Sequence, residues 1–246
     1  MTKAEIQLIR SLSDKRTRDA ERLFIAEGDK LIGEILQSDL KVRNLYAVEG
    51  HFDGRAEIVS AKEMERISQL KTASSSLAVV EQPRHKTPTQ APTDRLTLAL
   101  DGVQNPGNLG TIIRLADWFG VEDIYCSEDT ADCFNPKVVQ ATMGAILRVR
   151  VHYLPLAEFL KRTAAEGTPV YGTMLDGDNI YDAELQRSGV IVMGNEGKGV
   201  SEECARTFTH KLLIPAYPAE RQGSESLNVA MATGIVCAEF RRRARG

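Results

Sequence analysis

A chain of 246 residues with 42% hydrophobic content has enough apolar material for a real core, and it suits one large domain or two modest ones. No stretch approaches the roughly 20 apolar residues of a membrane span, and the N-terminus is polar, so a soluble, cytoplasmic protein is expected. A formal net charge of -3 excludes a global basic signature of nucleic-acid binding, and the scattered Cys126, Cys133, Cys204 and Cys237 predict buried thiols and no metal.

Residues 1–82 are predicted to form a small α/β unit. Apolar residues at near-helical spacing (Ile6, Leu8, Ile9, Leu12) predict a helix over 4–12, and Leu23-Phe24-Ile25-Ala26 a short strand. Glu27-Gly28 opens a helix through Leu31, Ile32, Ile35 and Leu36; strands follow at 45–48 and 77–80, with a helical segment over 61–70 between them. The loops before the first strand are basic: Lys15, Arg16, Arg18 and Arg22 would suit RNA phosphates, although interleaved Asp14, Asp19 and Glu21 equally suit a solvated charged face.

Residues 83–94 (PRHKTPTQAPTD) hold three prolines and no aliphatic residue larger than alanine, which predicts an extended linker and a domain boundary. From Leu96 onward the pattern is strongly α/β. Leu96–Leu100 is a near-continuous apolar strand of the kind found where helices cover both faces of a parallel sheet. The turn Asn105-Pro106-Gly107-Asn108 can cap a helix with an apolar stripe at Leu109, Ile112, Ile113, Ala116 and Phe119, ending at Gly120. Strands at 123–126, 148–153, 169–173, 191–193 and 211–215 alternate with helices from about Pro136, at 156–165 and near the C-terminus. Five or six parallel strands are expected, with ligand chemistry at their carboxyl ends.

Three constellations lie at those ends. In Asn105-Pro-Gly-Asn108-Leu-Gly-Thr-Ile-Ile-Arg114, the arginine stands inside an apolar run, either snorkelling out to a surface carboxylate or projecting into a cleft; Asn108 could be an ordinary helix cap. In Gly194-Asn195-Glu196-Gly197-Lys198-Gly199, spacing fails both nucleotide patterns. Only two residues separate Gly194 from Gly197-Lys198, and Glu202 occupies the last glycine position of a dinucleotide fingerprint. A plain turn, or a loop permitting close backbone approach to a ligand around one carboxylate, remains. In Gly223-Ser-Glu-Ser226-Leu227-Asn228-Val-Ala, Ser224 or Ser226 could cap the terminal helix. That helix is apolar on nearly every side, which calls for a partner such as the same helix of a second subunit, and Arg241-Arg242-Arg243-Ala-Arg245 forms a basic tail that could meet phosphates.

In this order the three motifs resemble one family, the SpoU/TrmH-type RNA 2′-O-ribose methyltransferases of the SPOUT superfamily. The matches are Asn105-Pro-Gly-Asn108-Leu-Gly with Arg114, Met193-Gly-Asn-Glu196-Gly-Lys-Gly-Val-Ser, and Leu213-Ile-Pro215 with Ser226-Leu-Asn228-Val-Ala, across about Leu96 to Arg243. Residues 1–82 resemble the family's ribosomal-protein-like substrate-binding domain, by position and through Phe24-Ile-Ala-Glu-Gly28. The resemblance implies a catalytic domain over 95–246 with a deep C-terminal trefoil knot, a homodimer, and S-adenosylmethionine held against Thr173, Met193, Gly194, Asn195, Ile214, Pro215, Leu227 and Asn228. It also implies catalytic roles for Asn108, Arg114, Glu196, Ser226 and Asn228. Because an arginine is almost never neutral, its pKa lying above about 12, Arg114 is expected to stabilise the developing alkoxide or the neighbouring phosphate rather than act as a base. The expected activity is 2′-O-methylation of structured RNA, ribosomal ahead of transfer RNA because of the extra domain; a non-catalytic RNA-binding or ribosome-assembly factor and a base methyltransferase are the alternatives.

Overall fold

The computed structural model describes residues 1–50, 52–218 and 226–244, which hold nine α-helices and ten strands in two sheets. The chain divides into two compact units, Met1–Arg84 with Asp132–Leu147, and His85–Ala131 with Arg148–Gly246.

The first unit begins with α1 (Lys3–Ser11) and α2 (Lys15–Glu21), then β1 (Leu23–Glu27), α3 (Asp29–Leu36), β2 (Val42–Ala47), β3 (Glu57–Ile58), α4 (Ala61–Ile67) and β4 (Ser76–Glu81). Thr2 with Glu5 and Ser60 with Glu63 form reciprocal capping boxes that start α1 and α4. The sheet order is β1-β4-β2-β3, with β4 antiparallel to both β1 and β2. Side chains alternate across this sheet: Leu23, Ile25, Leu77 and Val79 pack with Ile6, Ile9, Met64 and Ile67 of α1 and α4. Phe24, Ala26, Ala78 and Val80 pack on the other face with Leu31, Ile32 and Ile35 of α3. Helices on both faces explain why β1 is buried at every position.

The stretch 15–22, expected as basic loop, is helix α2, capped by Asp14, whose carboxylate accepts from the N–H groups of Arg16 and Thr17. Its charged sequence has no apolar stripe, so periodicity could not announce it. Arg18 is only 1% exposed, which corrects its assignment to RNA phosphates. Its guanidinium reaches Asp132 Oδ2 at 2.9 and 2.5 Å and the carbonyls of Leu12 and Ser13 at 2.8 Å, so four of its five N–H donors are spent inside the fold. Lys15 pairs with Asp19, while Lys15, Arg16 and Arg22 all remain exposed.

The second unit is built from β5 (Leu96–Leu100), α5 (Pro106–Trp118) and β6 (Asp123–Cys126). Between β6 and the next strand the chain makes α6 (Pro136–Ala141), which packs with the first unit: Val139 and Phe134 join the cluster on Phe24. It then forms β7 (Arg150–Tyr153), α7 (Leu156–Ala165), β8 (Val170–Asn179), β9 (Gly189–Met193), α8 (Glu202–Ala205), β10 (His210–Leu213) and α9 (Val229–Arg243). All six strands are parallel, in the order β10-β8-β9-β5-β6-β7, as the α/β pattern predicts. The extended segment 85–94 lies against α7: buried Ala91 donates its N–H to Thr163 Oγ1 at 3.0 Å, and Arg162 Nε donates to the Thr89 carbonyl at 3.0 Å.

Among the described residues, no helix is long and apolar enough to cross a membrane, and no group of three or more His, Cys, Asp or Glu is placed to hold a metal. All four cysteines are buried, and burial pushes the thiols of Cys204 and Cys237 up to about 12, which removes them as nucleophiles near neutral pH.

At the amino edge of β6 and β7, away from the strand ends that carry the motifs, Asp123 is 5% exposed and accepts from Arg150 (2.7 Å) and His152 (3.0 Å). Burial alone would raise its pKa, but the hydrogen bonds from His152 and Arg150 and the charge of Arg150 outweigh it and hold the carboxyl well below the usual range. A depressed folded-state pKa contributes stability above the unfolded value of about 3.9 and loses it as pH falls below that. Asp123→Asn is therefore expected to lower the melting temperature at pH 7 and to flatten its decline below about pH 4; a variant melting profile parallel to the wild type across that range would remove Asp123 from the acid response.

Candidate active site

In the six-stranded sheet the chain runs outward from β5 through β6 to β7, then crosses back to build the other side. The seam lies between β5 and β9, and in open α/β sheets ligands bind at such a seam beyond the carboxyl ends of the strands. The loops that leave β5 and β9 are stitched together there. Asn195 Nδ2 donates to the Gly102 carbonyl at 2.6 Å, and Asp101 Oδ2 accepts from the Ser201 N–H at 2.7 Å. Gly102 sits at φ +70°, donates its N–H to Ser127 Oγ at 2.8 Å, and would bring a Cβ to 3.1 Å from the Asp129 carboxylate. Only glycine meets both the backbone and the space requirement. Asp101, Ser127 and Asp129 were not singled out from sequence, and Ser201 entered only as the last residue of the second motif.

On this frame the three motifs meet through side-chain hydrogen bonds. Asn108, in the first turn of α5, donates from Nδ2 to Glu196 Oε1 at 2.9 Å, and its Oδ1 accepts from Asn228 Nδ2 at 3.0 Å. Asn228 Oδ1 accepts in turn from the N–H groups of Ala230 and Met231. Asn228 is thus the N-cap of α9, which corrects the expectation of a serine cap; Ser226 is exposed outside the helix, and Ser224 lies outside the described residues. Asn105 rather than Asn108 caps α5, accepting from the N–H groups of Gly107 and Asn108. Asn108 is thereby free of the cap role that sequence left open.

Arg114 is exposed on α5 and makes no hydrogen bond or ion pair among the described residues, so the snorkelling-to-carboxylate reading fails. It follows Asn108 by six residues, a rise of about 9 Å along the helix. Gly107, Thr111, Arg114 and Trp118 share an exposed face.

The residues assigned to cofactor binding lie within β8, at the ends of β9 and β10 and at the start of α9. Met193 is buried, and Thr173 donates its hydroxyl to the Val192 carbonyl at 2.9 Å. Gly194 is tightly enclosed: a Cβ there would meet Gly199 and Val200 at 2.4 Å. The Asn195 carboxamide accepts from the N–H groups of Gly197 and Lys198 as well as bonding Gly102, so its side chain shapes the loop. The backbone N–H groups of Ile214 and Leu227 have no backbone partner among the described residues, and the Leu227 side chain is 53% exposed.

The basic tail also differs from expectation. Arg241 donates to the carbonyls of Phe119 and Gly120, and Arg242 and Arg243 clasp Glu239, which is 5% exposed. Arg243 further holds the carbonyls of Ile180, Tyr181 and Ala183. Arg241 and Arg243 thus tie α9 to neighbouring segments, while Arg242 bonds only Glu239 of its own helix; Arg245 lies outside the described residues.

Comparison with known proteins bears on this arrangement. The model of the SpoU rRNA methylase family matches residues 95–238. The chain belongs to the SpoU rRNA methylase family. A second model, the MRM3-like substrate binding domain, matches residues 3–85 of this SpoU methylase. The 23S rRNA (guanosine(2553)-2′-O)-methyltransferase RlmP of Bacillus subtilis is 30% identical over 240 residues, covering 94% of each chain. A solved structure from Porphyromonas gingivalis, assigned to the TrmH family of RNA methyltransferases, is 40% identical with a TM-score of 0.88 over 99% of each chain. An AdoMet-bound rRNA methyltransferase from Sinorhizobium meliloti is 31% identical with a TM-score of 0.86, covering 99% of this SpoU methylase and 96% of that chain.

Proposed function

We propose that this protein is an S-adenosylmethionine-dependent methyltransferase that places a methyl group on a ribose 2′-hydroxyl of ribosomal RNA. The observation that carries the reading is the hydrogen-bonded chain Glu196–Asn108–Asn228 at the sheet seam, with the guanidinium of Arg114, unpaired among the described residues, on the same helix as Asn108. The full-length similarity to an rRNA 2′-O-methyltransferase supports ribosomal over transfer RNA.

When bound, S-adenosylmethionine supplies an electrophilic methyl group, and the protein's task is to orient it. Thr173, Met193, Gly194, Ile214, Pro215 and Leu227 would hold it, with Asn195 shaping the loop. The N–H groups of Ile214 and Leu227, without a partner among the described residues, and the exposed Leu227 side chain suit the edge and face of a purine. Displacement at carbon requires the ribose oxygen in line with the leaving group, so the fixed chain from Glu196 to Asn228 contributes through positioning. Arg114 stabilises charge developing on the 2′-oxygen or carried by the adjacent phosphate. Ser226, exposed beside Asn228, completes the polar set around the reacting hydroxyl.

The C-terminal portion of this reading is a deep trefoil knot carrying the cofactor loops, within a catalytic domain over 95–246; residues 1–82 form the RNA substrate-binding domain, of ribosomal-protein-like fold, joined through 83–94. The enzyme works as a cytoplasmic homodimer. Trp118, Met231 and Leu227 are 83%, 64% and 53% exposed on α5, on α9 and just before α9, two helices that pack side by side, and a second copy would cover them.

Incubation with methyl-labelled cofactor and unmodified ribosomal RNA is expected to yield one alkali-resistant linkage, because a methylated 2′-oxygen cannot attack the neighbouring phosphate. Label confined to bases would defeat the ribose assignment, and absence of cofactor binding by calorimetry would point instead to a non-catalytic RNA-binding factor.

A further inference from the structure

The first unit carries a cleft of about 360 Å³ beside the last turns of α1 and α4, lined by Arg10, Ser13, Glu65, Arg66, Ser68 and Gln69. Every one of these side chains is polar. Arg10 and Arg66 are exposed, and neither guanidinium has a hydrogen bond or ion pair among the described residues, whereas Arg18, Arg43 and Arg55 have carboxylate partners. Each stands at the C-terminal end of its helix, where unpaired carbonyls would repel an anion and a guanidinium offsets them. Two cations face one carboxylate, Glu65.

Both walls of the cleft are fixed from beneath by buried ionic groups. On one side Arg18, anchored to Asp132, donates to the carbonyls of Leu12 and Ser13 and holds the chain as it leaves α1. On the other, Glu27, 4% exposed, accepts from Ser68 Oγ at 2.6 Å and the Gln69 N–H at 2.7 Å and holds the chain as it leaves α4. Desolvating an arginine and a glutamate is costly, and both are spent on segments that form one rim. A rim of fixed geometry with unpaired guanidiniums is what a ligand site requires and what a solvated turn does not.

We propose that this cleft seats the phosphodiester backbone of the RNA substrate, Arg10 and Arg66 contacting phosphate oxygens while the Gln69 carboxamide supplies a neutral hydrogen bond. Planar guanidinium forks match phosphate oxygens in pairs, and a lining without apolar side chains gives a base or a lipid tail nothing to bury against. Such contacts set the register of the RNA without reading its sequence. The proposal rests on the RNA methyltransferase reading.

The test is binding of a ribosomal RNA fragment to the full chain by fluorescence anisotropy across a series of salt concentrations, with the double variant Arg10→Gln/Arg66→Gln. Neither side chain has a hydrogen bond or ion pair among the described residues, so the melting temperature should fall only slightly, by the loss of two charges near helix C-termini. Affinity near physiological salt should fall by about tenfold or more, and the slope of log K against log salt should shrink by about two. Cofactor affinity and methyl transfer at saturating RNA should stay at wild-type levels. Glu65→Gln should tighten binding, and Lys15→Gln/Arg16→Gln on α2 should weaken it less than the cleft variant. Unchanged affinity and slope in the cleft variant, with the wild type still methylating RNA, would overturn the cleft alone. A wild type that neither binds nor methylates RNA would overturn the functional reading and the cleft with it.

Discussion

Alanine in place of Arg114 is expected to lower the methyl-transfer rate by about two to three orders of magnitude, the cost of deleting one preorganised charge-stabilising donor. The affinity for S-adenosylmethionine should stay within a few-fold and the melting temperature should hold, because Arg114 is exposed and has no partner among the described residues to lose. Lysine at this position keeps the charge but loses the planar fork, so it should recover only part of the rate. Single-turnover kinetics paired with cofactor titration separate the outcomes. Equal losses in rate and cofactor affinity, or a large drop in stability, would make Arg114 a structural residue.

The second large effect is on stability rather than chemistry. Arg18→Ala leaves Asp132 and two backbone carbonyls without their buried partner, and breaking such a pair by removing one member costs about 3–5 kcal/mol. The loss should appear as a lower urea midpoint for the transition of the first unit, which contains both partners. Replacing the pair together with apolar residues of similar volume should restore much of it. If Arg18→Ala instead weakened RNA binding with the midpoint unchanged, the side chain would be a phosphate contact after all.

Element order in both units was legible because apolar periodicity and glycine or asparagine punctuation agreed. The burial of Leu23–Ala26 in β1 and of most of β5 follows from near-continuous apolar runs, and α7 lies over 156–165 as its spacing predicts. What stayed hidden depended on contacts far apart in sequence. The Lys15–Glu21 segment offered charge without an apolar stripe, and nothing local distinguishes its buried Arg18 from its exposed Arg16; only Asp132, 114 residues away, does so. The same partner segment explains why the first unit takes in 132–147, a grouping that chain order does not suggest. At the candidate site, Asn108, Glu196 and Asn228 were named from motifs, but their hydrogen-bond order was not, because an asparagine near a helix start looks alike whether it caps or bridges. The arginines of the last turn showed the reverse: their clustering suggested a ligand surface, and their partners turned out to be Glu239 and backbone carbonyls.

Asn228 spends one end of its carboxamide on starting α9 and the other on Asn108. Starting α9 and joining the third motif to the first are therefore one event. A chain in which α9 has not yet docked keeps the bond from Asn108 to Glu196 but lacks the one from Asn228, so the three motifs are joined only once the last helix is in place.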